Sequence, residues 1–448
     1  MAIAALPGLK AGRTTLNDPV LKAELQRLRQ LDNLTNWYYL ARTYLYLAVV
    51  IGLAVWGLEY IRSGDISFFW AVPISVTAIV LVGAGQHQLS GLAHEGSHHI
   101  LFKNRILNDL VSDIFTMFPL FSSTYLYRLQ HLAHHQFVND PEKDPDVSQL
   151  RGSGHWLHFP VTPREFLRTL LKQLWPLNLI KFMRIRAKYN ATGTEHNPYF
   201  RQGQKPARTA VRIGVAYLLI LAVTLSLLYY LAPLSLGLVV PLGLWLIISW
   251  VFWRLPPDKY IQTRLHPVIP SRVMTILRVG YLTLLLTTLT VITRLTGAPA
   301  VVYFLILWVV PIFTSFAFFM ILRQLVQHGN ADRGWLTNSR TFFVSPWINF
   351  AVFPMGQEYH LPHHMYATIP HYRLRELHEL LMNYDDYRQH AVVVHGYFLS
   401  PEHPKIAPTV LDVLGPEYHQ RGNGEIYTDD SVLESDQFDE AEQLRSLR

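Results

Sequence analysis

Residues 213–253 read IGVAYLLILAVTLSLLYYLAPLSLGLVVPLGLWLIISWVFW, an uncharged run bounded by Arg212 and Arg254. A helix needs about 20 apolar residues to cross the hydrocarbon core of a bilayer, and the Ala232-Pro233 step divides this run into two pieces of about that length. The run therefore reads as a hairpin of two membrane-spanning helices. The same test, carried outward, finds four more spans. On the N-terminal side lie residues 43–61 and 66–85, joined by a turn at Ser63-Gly64-Asp65; polar Gln86, His87 and Gln88 end the apolar part of the second. On the C-terminal side lie residues 274–293 and 301–322, separated at Pro299. Arg278 falls near one end of its span, where its stem is expected to snorkel to the interface.

Composition agrees. The 448-residue chain is 50% hydrophobic and only 16% charged, against about 25% charged in soluble domains. A chain this apolar is not disordered as a whole. Its formal charge of +7 does not imply nucleic acid, because the basic residues flank the apolar spans. Lys and Arg are concentrated in the N-terminal arm, between Lys103 and Arg208, and after Trp253. The positive-inside rule then places the N-terminus, both large loops and the C-terminus in the cytoplasm. The expected organisation is a cytoplasmic amphipathic arm over residues 1–42, a membrane domain with a cytoplasmic helical cap over 43–424, and an acidic disordered tail over 425–448. The first 40 residues lack the charged start and apolar core of a cleavable signal. The fold class expected is all-α and polytopic.

The chain has 21 His and no Cys, which excludes disulfides, zinc ribbons and iron–sulfur clusters. Any metal site must be built from imidazole and carboxylate. Three clusters stand out: His94-Glu95-Gly96-Ser97-His98-His99, His131-Leu132-Ala133-His134-His135 and His360-Leu361-Pro362-His363-His364. At this histidine content the pattern His-x-x-His-His is expected by chance only about 0.05 times in the chain. Helical positions i, i+3 and i+4 share a face, so His131, His134 and His135 can address one pocket, as can His94 and His98. His99 is turned about 100° from His98 and serves a second metal or none. Pro362 suits a first helical position, which brings His360 in from the preceding chain and puts His363 and His364 on the first turn. His328 lies at the end of the sixth span and is either a tenth ligand or a helix-capping side chain. His155 stands apart from these clusters and is expected to be an ordinary hydrogen-bonded histidine.

Nine or ten imidazoles exceed the four to six donors that one ion accepts, so two metals are implied. Imidazole alone does not choose among iron, copper, zinc and nickel. Two divalent ions held by neutral rings call for carboxylates behind the ligands, and Glu95, Asp144, Asp146 and Glu358 are the candidates. A redox-active pair beside a membrane suggests oxygen chemistry on a lipid-soluble substrate. Two rivals are weighed against it. A membrane zinc protease would use His94-Glu95-x-x-His98 with Glu95 as base; a transporter would carry its polar groups near the midplane instead.

The three clusters in their order, the stretch Asn139-Asp140-Pro141-Glu142-Lys143-Asp144-Pro145-Asp146, and residues 359–370 resemble the membrane fatty acid desaturase/hydroxylase superfamily. The resemblance covers about residues 86–381. It implies a non-haem di-iron centre at the cytoplasmic face, held by the box histidines and by a further His or Asn ahead of the third box, which His328 matches. It also implies oxygen-dependent desaturation of an acyl chain threaded between helices, with hydroxylation of an acyl or sphingoid chain, or oxidation of a carotenoid, as related outcomes. Dioxygen is then a co-substrate. The His-Pro-Gly-Gly of a fused cytochrome b5 is absent, so electrons are expected from a separate ferredoxin, cytochrome b5 or reductase. Six spans exceed the four often found in the superfamily.

Overall fold

A computed structural model describes residues 15–192, 197–200, 208–418 and 426–429. The start of the N-terminal arm and nearly all of the acidic tail lie outside the described residues. Helix α1 (Pro19–Leu28) opens with Asp18 accepting the Val20 N–H, then α2 (Thr35–Arg62) and α3 (Ala71–Ser97) form the first hairpin. Shorter helices follow: α4 (Arg105–Ser112), α5 (Thr124–Gln136), α6 (Pro145–Ser153), α7 (Pro163–Gln173) and α8 (Pro176–Thr192). Proline at the first position of α6 and α7 costs no hydrogen bond, because the first N–H groups of a helix have no internal partner.

The second hairpin is α9 (Thr209–Leu231) and α10 (Leu234–Arg254), broken where expected at Ala232-Pro233. Helix α11 (Ser271–Thr296) ends at Gly297, whose φ of 69° suits a residue without Cβ. The sixth span, Ala300–Gln327, comprises α12 (Ala300–Phe304), a π turn at Leu305–Val309, α13 (Val310–Phe313) and α14 (Ser315–Gln327). Among the described residues six helical segments are thus long and apolar enough to cross a membrane, and their outer faces expose Leu53, Trp56, Leu219, Leu246, Trp250 and Leu284. The first begins at Thr35, eight residues ahead of the uncharged run, because polar residues at the interface continue the helix.

Two packing units result. Helices α9, α10 and α11 share a core of Tyr217, Leu221, Phe252 and Val279. Helix α3 packs against α2 and α14, and its crossing with α14 is close: a Cβ on Gly83 would lie 2.1 Å from Ser315 Oγ. Small residues at such crossings let helix backbones approach where apolar burial gives no driving force in lipid.

Beyond α14 the chain forms β1 (Arg340–Phe343), α15 (Pro346–Val352), α16 (His360–Met365), α17 (Leu374–Leu381) and β2 (Val392–His395). Strands β1 and β2 pair in parallel, Arg340 opposite Val392. The segment 338–342 joins two elements of the site. Arg340 Nη1 donates to Val326 O (2.9 Å) and Ser339 Oγ to Gln327 O (3.0 Å), satisfying carbonyls at the end of α14. On the other side Phe342 N donates to Glu358 O at 2.8 Å, just ahead of α16.

Candidate metal centre

Four helix ends deliver the clustered histidines. His94 lies in the last turn of α3 and His98 caps it; His131, His134 and His135 lie on α5; His328 caps α14; His360, His363 and His364 lie on α16. His360 is the first residue of α16 rather than part of the incoming chain, and Pro362 is its third. Proline is tolerated there for the same reason as at the first position: its missing N–H would have had no partner within the helix.

The rings gather into two groups. His94, His98, His131, His135 and His363 offer ring nitrogens within 4.8 Å of one another, and His134, His328, His360 and His364 do the same. Within the first group the Nε2–Nε2 distances are 2.8 Å for His98–His131, 3.1 Å for His131–His135 and 3.0 Å for His135–His363. In the second they are 2.9 Å for His328–His360 and 3.1 Å for His360–His364. Adjacent donors on an octahedral ion with metal–nitrogen bonds of about 2.1 Å stand about 3.0 Å apart. The groups adjoin, with the rings of His135 and His364 stacked at 4.2 Å.

Tautomers decide whether these contacts are hydrogen bonds or converging lone pairs. The carboxylate of Asp144 can only accept, so the Nδ1–H of His134 is donated to its oxygens at 2.9 and 3.0 Å. The Nδ1–H of His328 is likewise donated to Asn338 O at 2.9 Å. Both rings then turn Nε2 toward the same point, where a bound cation would take the place of the proton that the raised pKa of His134 puts there. Burial, reinforced by the neighbouring rings, keeps His131, His135, His360 and His364 well below the ordinary imidazole pKa, and hence neutral. For His134 burial acts the same way but is outweighed by Asp144, with Asp146 adding, and its pKa rises to about 9. The donor set therefore fits two ions of intermediate hardness.

Asp144 also accepts the N–H groups of Asn139 and Asp146, both at 2.9 Å, so the 139–146 stretch is a loop wound around one carboxylate. Glu95 is 1% exposed, accepts the His371 N–H at 2.7 Å and lies 3.5 Å from His94 Nδ1. That tie to the backbone leaves it badly placed as a protease base. Asp146 meets Asp144 through its backbone N–H and lines the cavity beside the rings. The Glu358 side chain accepts from Asn349 Nδ2 at 3.2 Å instead of from a clustered ring. His99 joins neither group: it follows the end of α3 with φ 57°, and its Nδ1 lies 3.3 Å from Arg128 Nη2 and 3.5 Å from Asp109. His155 is hydrogen-bonded to Ser153 Oγ at 2.9 Å, apart from both groups.

Arg128 was not signalled by the histidine pattern. Fully buried on α5, it donates to Ser97 O and Gly96 O at 2.9 Å and to the Asp109 carboxylate at 2.6 and 3.1 Å. It thereby caps α3 and fixes that helix against α5. Its position one turn ahead of His131 was the available cue.

The sequence model of the fatty acid desaturase family matches residues 69–275 and 242–397. The chain belongs to the fatty acid desaturase family. It is 32% identical over 135 residues to the dihydrorhizobitoxine desaturase of Bradyrhizobium elkanii, a match covering 30% of this chain and 34% of that protein. It is 31% identical over 106 residues to the Delta(5) fatty acid desaturase fat-4 of Caenorhabditis elegans, covering 24% and 22% of the two chains. With the Delta(8)-fatty-acid desaturase of Euglena gracilis it shares 29% identity over 130 residues, covering 29% and 28%. The chain thus spans about a third or less of the curated relatives it matches. Family membership agrees with the membrane setting that the long apolar helices give this desaturase-family chain.

Proposed function

We propose that this chain is an oxygen-dependent fatty acid desaturase whose nine converging histidines hold two iron ions. His94, His98, His131, His135 and His363 hold one, and His134, His328, His360 and His364 the other. The convergence of these rings from four helix ends into two adjoining donor groups is the observation that carries the reading. When bound, the pair supplies the oxidising power toward dioxygen needed to break unactivated C–H bonds.

The protein's own residues do the positioning. Asp144 and Asn338 O hold the protons of His134 and His328 on Nδ1, so that each turns its Nε2 inward. Burial keeps water and protons from the remaining rings. A cavity of about 40 Å³ touches His94, His131, His134, His328 and His360, and Leu150, Trp156, Phe159 and Leu325 contribute apolar groups to its otherwise polar lining. Desaturation needs two adjacent methylenes held against the centre, a demand on alignment of the kind that costs rate steeply when relaxed. The distribution of Lys and Arg supports a centre at the cytoplasmic face, within reach of a separate ferredoxin, cytochrome b5 or reductase.

The test combines metal analysis of the purified chain with lipid mass spectrometry of a host that co-expresses a compatible electron donor. Two iron atoms per chain and acyl products lacking two hydrogens are expected. Products that gain an oxygen atom would replace desaturation by hydroxylation, and one zinc per chain without oxygen dependence would refute the reading.

A further inference from the structure

A second cavity, of about 130 Å³, adjoins the first and has a different character. Most of its wall is apolar, contributed by α3, residues 117–122, α8 and the sixth span. Set into that wall are Arg186, Arg278 and Arg323, and among the described residues lining it there is no Asp, Glu, Lys or His. Tyr127, Arg186 and Arg323 line both cavities, so the arginines stand between this space and the histidine rings.

Asp113 faces Arg278 and Asp146 faces Arg323 at a distance, but none of the three guanidinium groups forms a direct ion pair among the described residues. Arg323 is 7% exposed, its Nε is buried without a hydrogen-bond partner, and it forms no ion pair among the described residues. Arg186 lies over the Tyr127 ring at 5.6 Å and donates to the neutral Gln149 Oε1 at 3.3 Å. Arg278 does not snorkel to the end of its helix: it turns into the cavity from a position about 10 Å along α11. Asp113, the carboxylate that faces it, accepts the Thr124 N–H at 2.6 Å and makes no direct ion pair with it among the described residues. Two of the three arginines sit within membrane spans, where a charge is costly and is retained for pairing or function. Three cations in a largely apolar space are complementary to one thing, an anion carried on an apolar body.

We propose that this cavity binds the anionic group, a carboxylate or a phosphate, of an amphiphilic substrate and positions it for the histidine centre. The inference rests on the desaturase reading for the fate of that substrate but not for its binding. Arg278 and Arg186 grip the anion from two different helices, and Arg323 forms the boundary across which the attached chain passes to the rings. A neutral lipid of the same length has no counterpart for these charges and leaves them desolvated and unpaired.

The test is equilibrium binding to the purified full chain in a neutral detergent, using laurate, dodecyl phosphate and dodecanol as probes of one chain length. Binding of at least one anion about tenfold tighter than the alcohol is expected, the scale of one charge-assisted hydrogen-bonding group. That preference collapses in Arg278→Gln and in Arg186→Gln, and survives in Arg272→Gln, whose guanidinium lies instead over Trp253 at 4.7 Å. Laurate as the tighter ligand identifies a free acid, and dodecyl phosphate a phosphorylated head group. Equal binding of all three probes overturns the proposal, as does a preference retained in both cavity variants when each melts at the wild-type temperature. Iron content measured on the same samples separates the two readings. A chain that prefers the anion but takes up no iron refutes the di-iron centre alone; a chain loaded with iron that shows no preference refutes the anion site alone.

Discussion

Asp144 determines which nitrogen His134 turns toward its neighbours, and it does so from inside a loop that spends two backbone N–H groups on the same carboxylate. Removing the charge while keeping the shape tests that role. Asp144→Asn should weaken metal binding about 10- to 100-fold, the usual cost of losing the partner behind a ligating histidine, read by competition with a chelator. His99→Ala should leave metal content unchanged, since its ring faces Arg128 and Asp109. These two outcomes mark what was legible residue by residue. The i, i+3, i+4 spacing on α5 is a property of any helix and could be read directly from His131, His134 and His135. The turn at His99 depends on a left-handed backbone residue, which no periodicity announces. Nor could Asn338 be found, because its contribution is a main-chain carbonyl and carries no side-chain signature.

At the scale of elements, the site is an assembly of helix ends, and the ties between ends matter as much as the helices. Arg128 binds α3 to α5. Arg128→Gln leaves Asp109 buried without its cation, and such losses cost about 3–5 kcal/mol; a lowered melting temperature with loss of bound metal is the expected result. Helix α17 carries a different dependence. His378 is buried with its Nδ1 2.9 Å from the Tyr387 hydroxyl, and burial pushes its pKa from 6.5 down to about 4. The unfolded chain takes the proton near 6.5 and the folded chain resists it, so this contribution to stability is complete above pH 6.5 and is lost as pH falls toward 4. The melting temperature of His378→Gln should therefore fall less than that of the native chain across that interval. The six spans were foreseen from apolar runs and proline positions, whereas the short helices α4 and α6 to α8 and the paired strands β1 and β2 were not. The short helix α16 was foreseen in part: Pro362 marked a helix start, but two residues late, because a proline is accommodated anywhere in the first turn.

Taken whole, the molecule sets one set of spans to work as scaffold for the histidine ends and another, α9 to α11, beside it. Six spans and the grouping of distant clusters could be inferred because an even number of crossings returns the chain to the side it left. The packing of α3 on α14 could not, since it turns on Gly83 and Ser315 meeting at one level of two helices. On the proposed reading, ions held by nine side chains from four helices would also stabilise the folded chain by mass action. Stripping them with a chelator should lower the melting temperature, and restoring iron should raise it again. The Arg128 tie adds a consequence for that cycle. Its bonds to Ser97, Gly96 and Asp109 involve no histidine of either group, so the hold of α3 on α5 does not pass through the metal ligands. An emptied chain should therefore keep this part of its mould and take iron up again without being unfolded first.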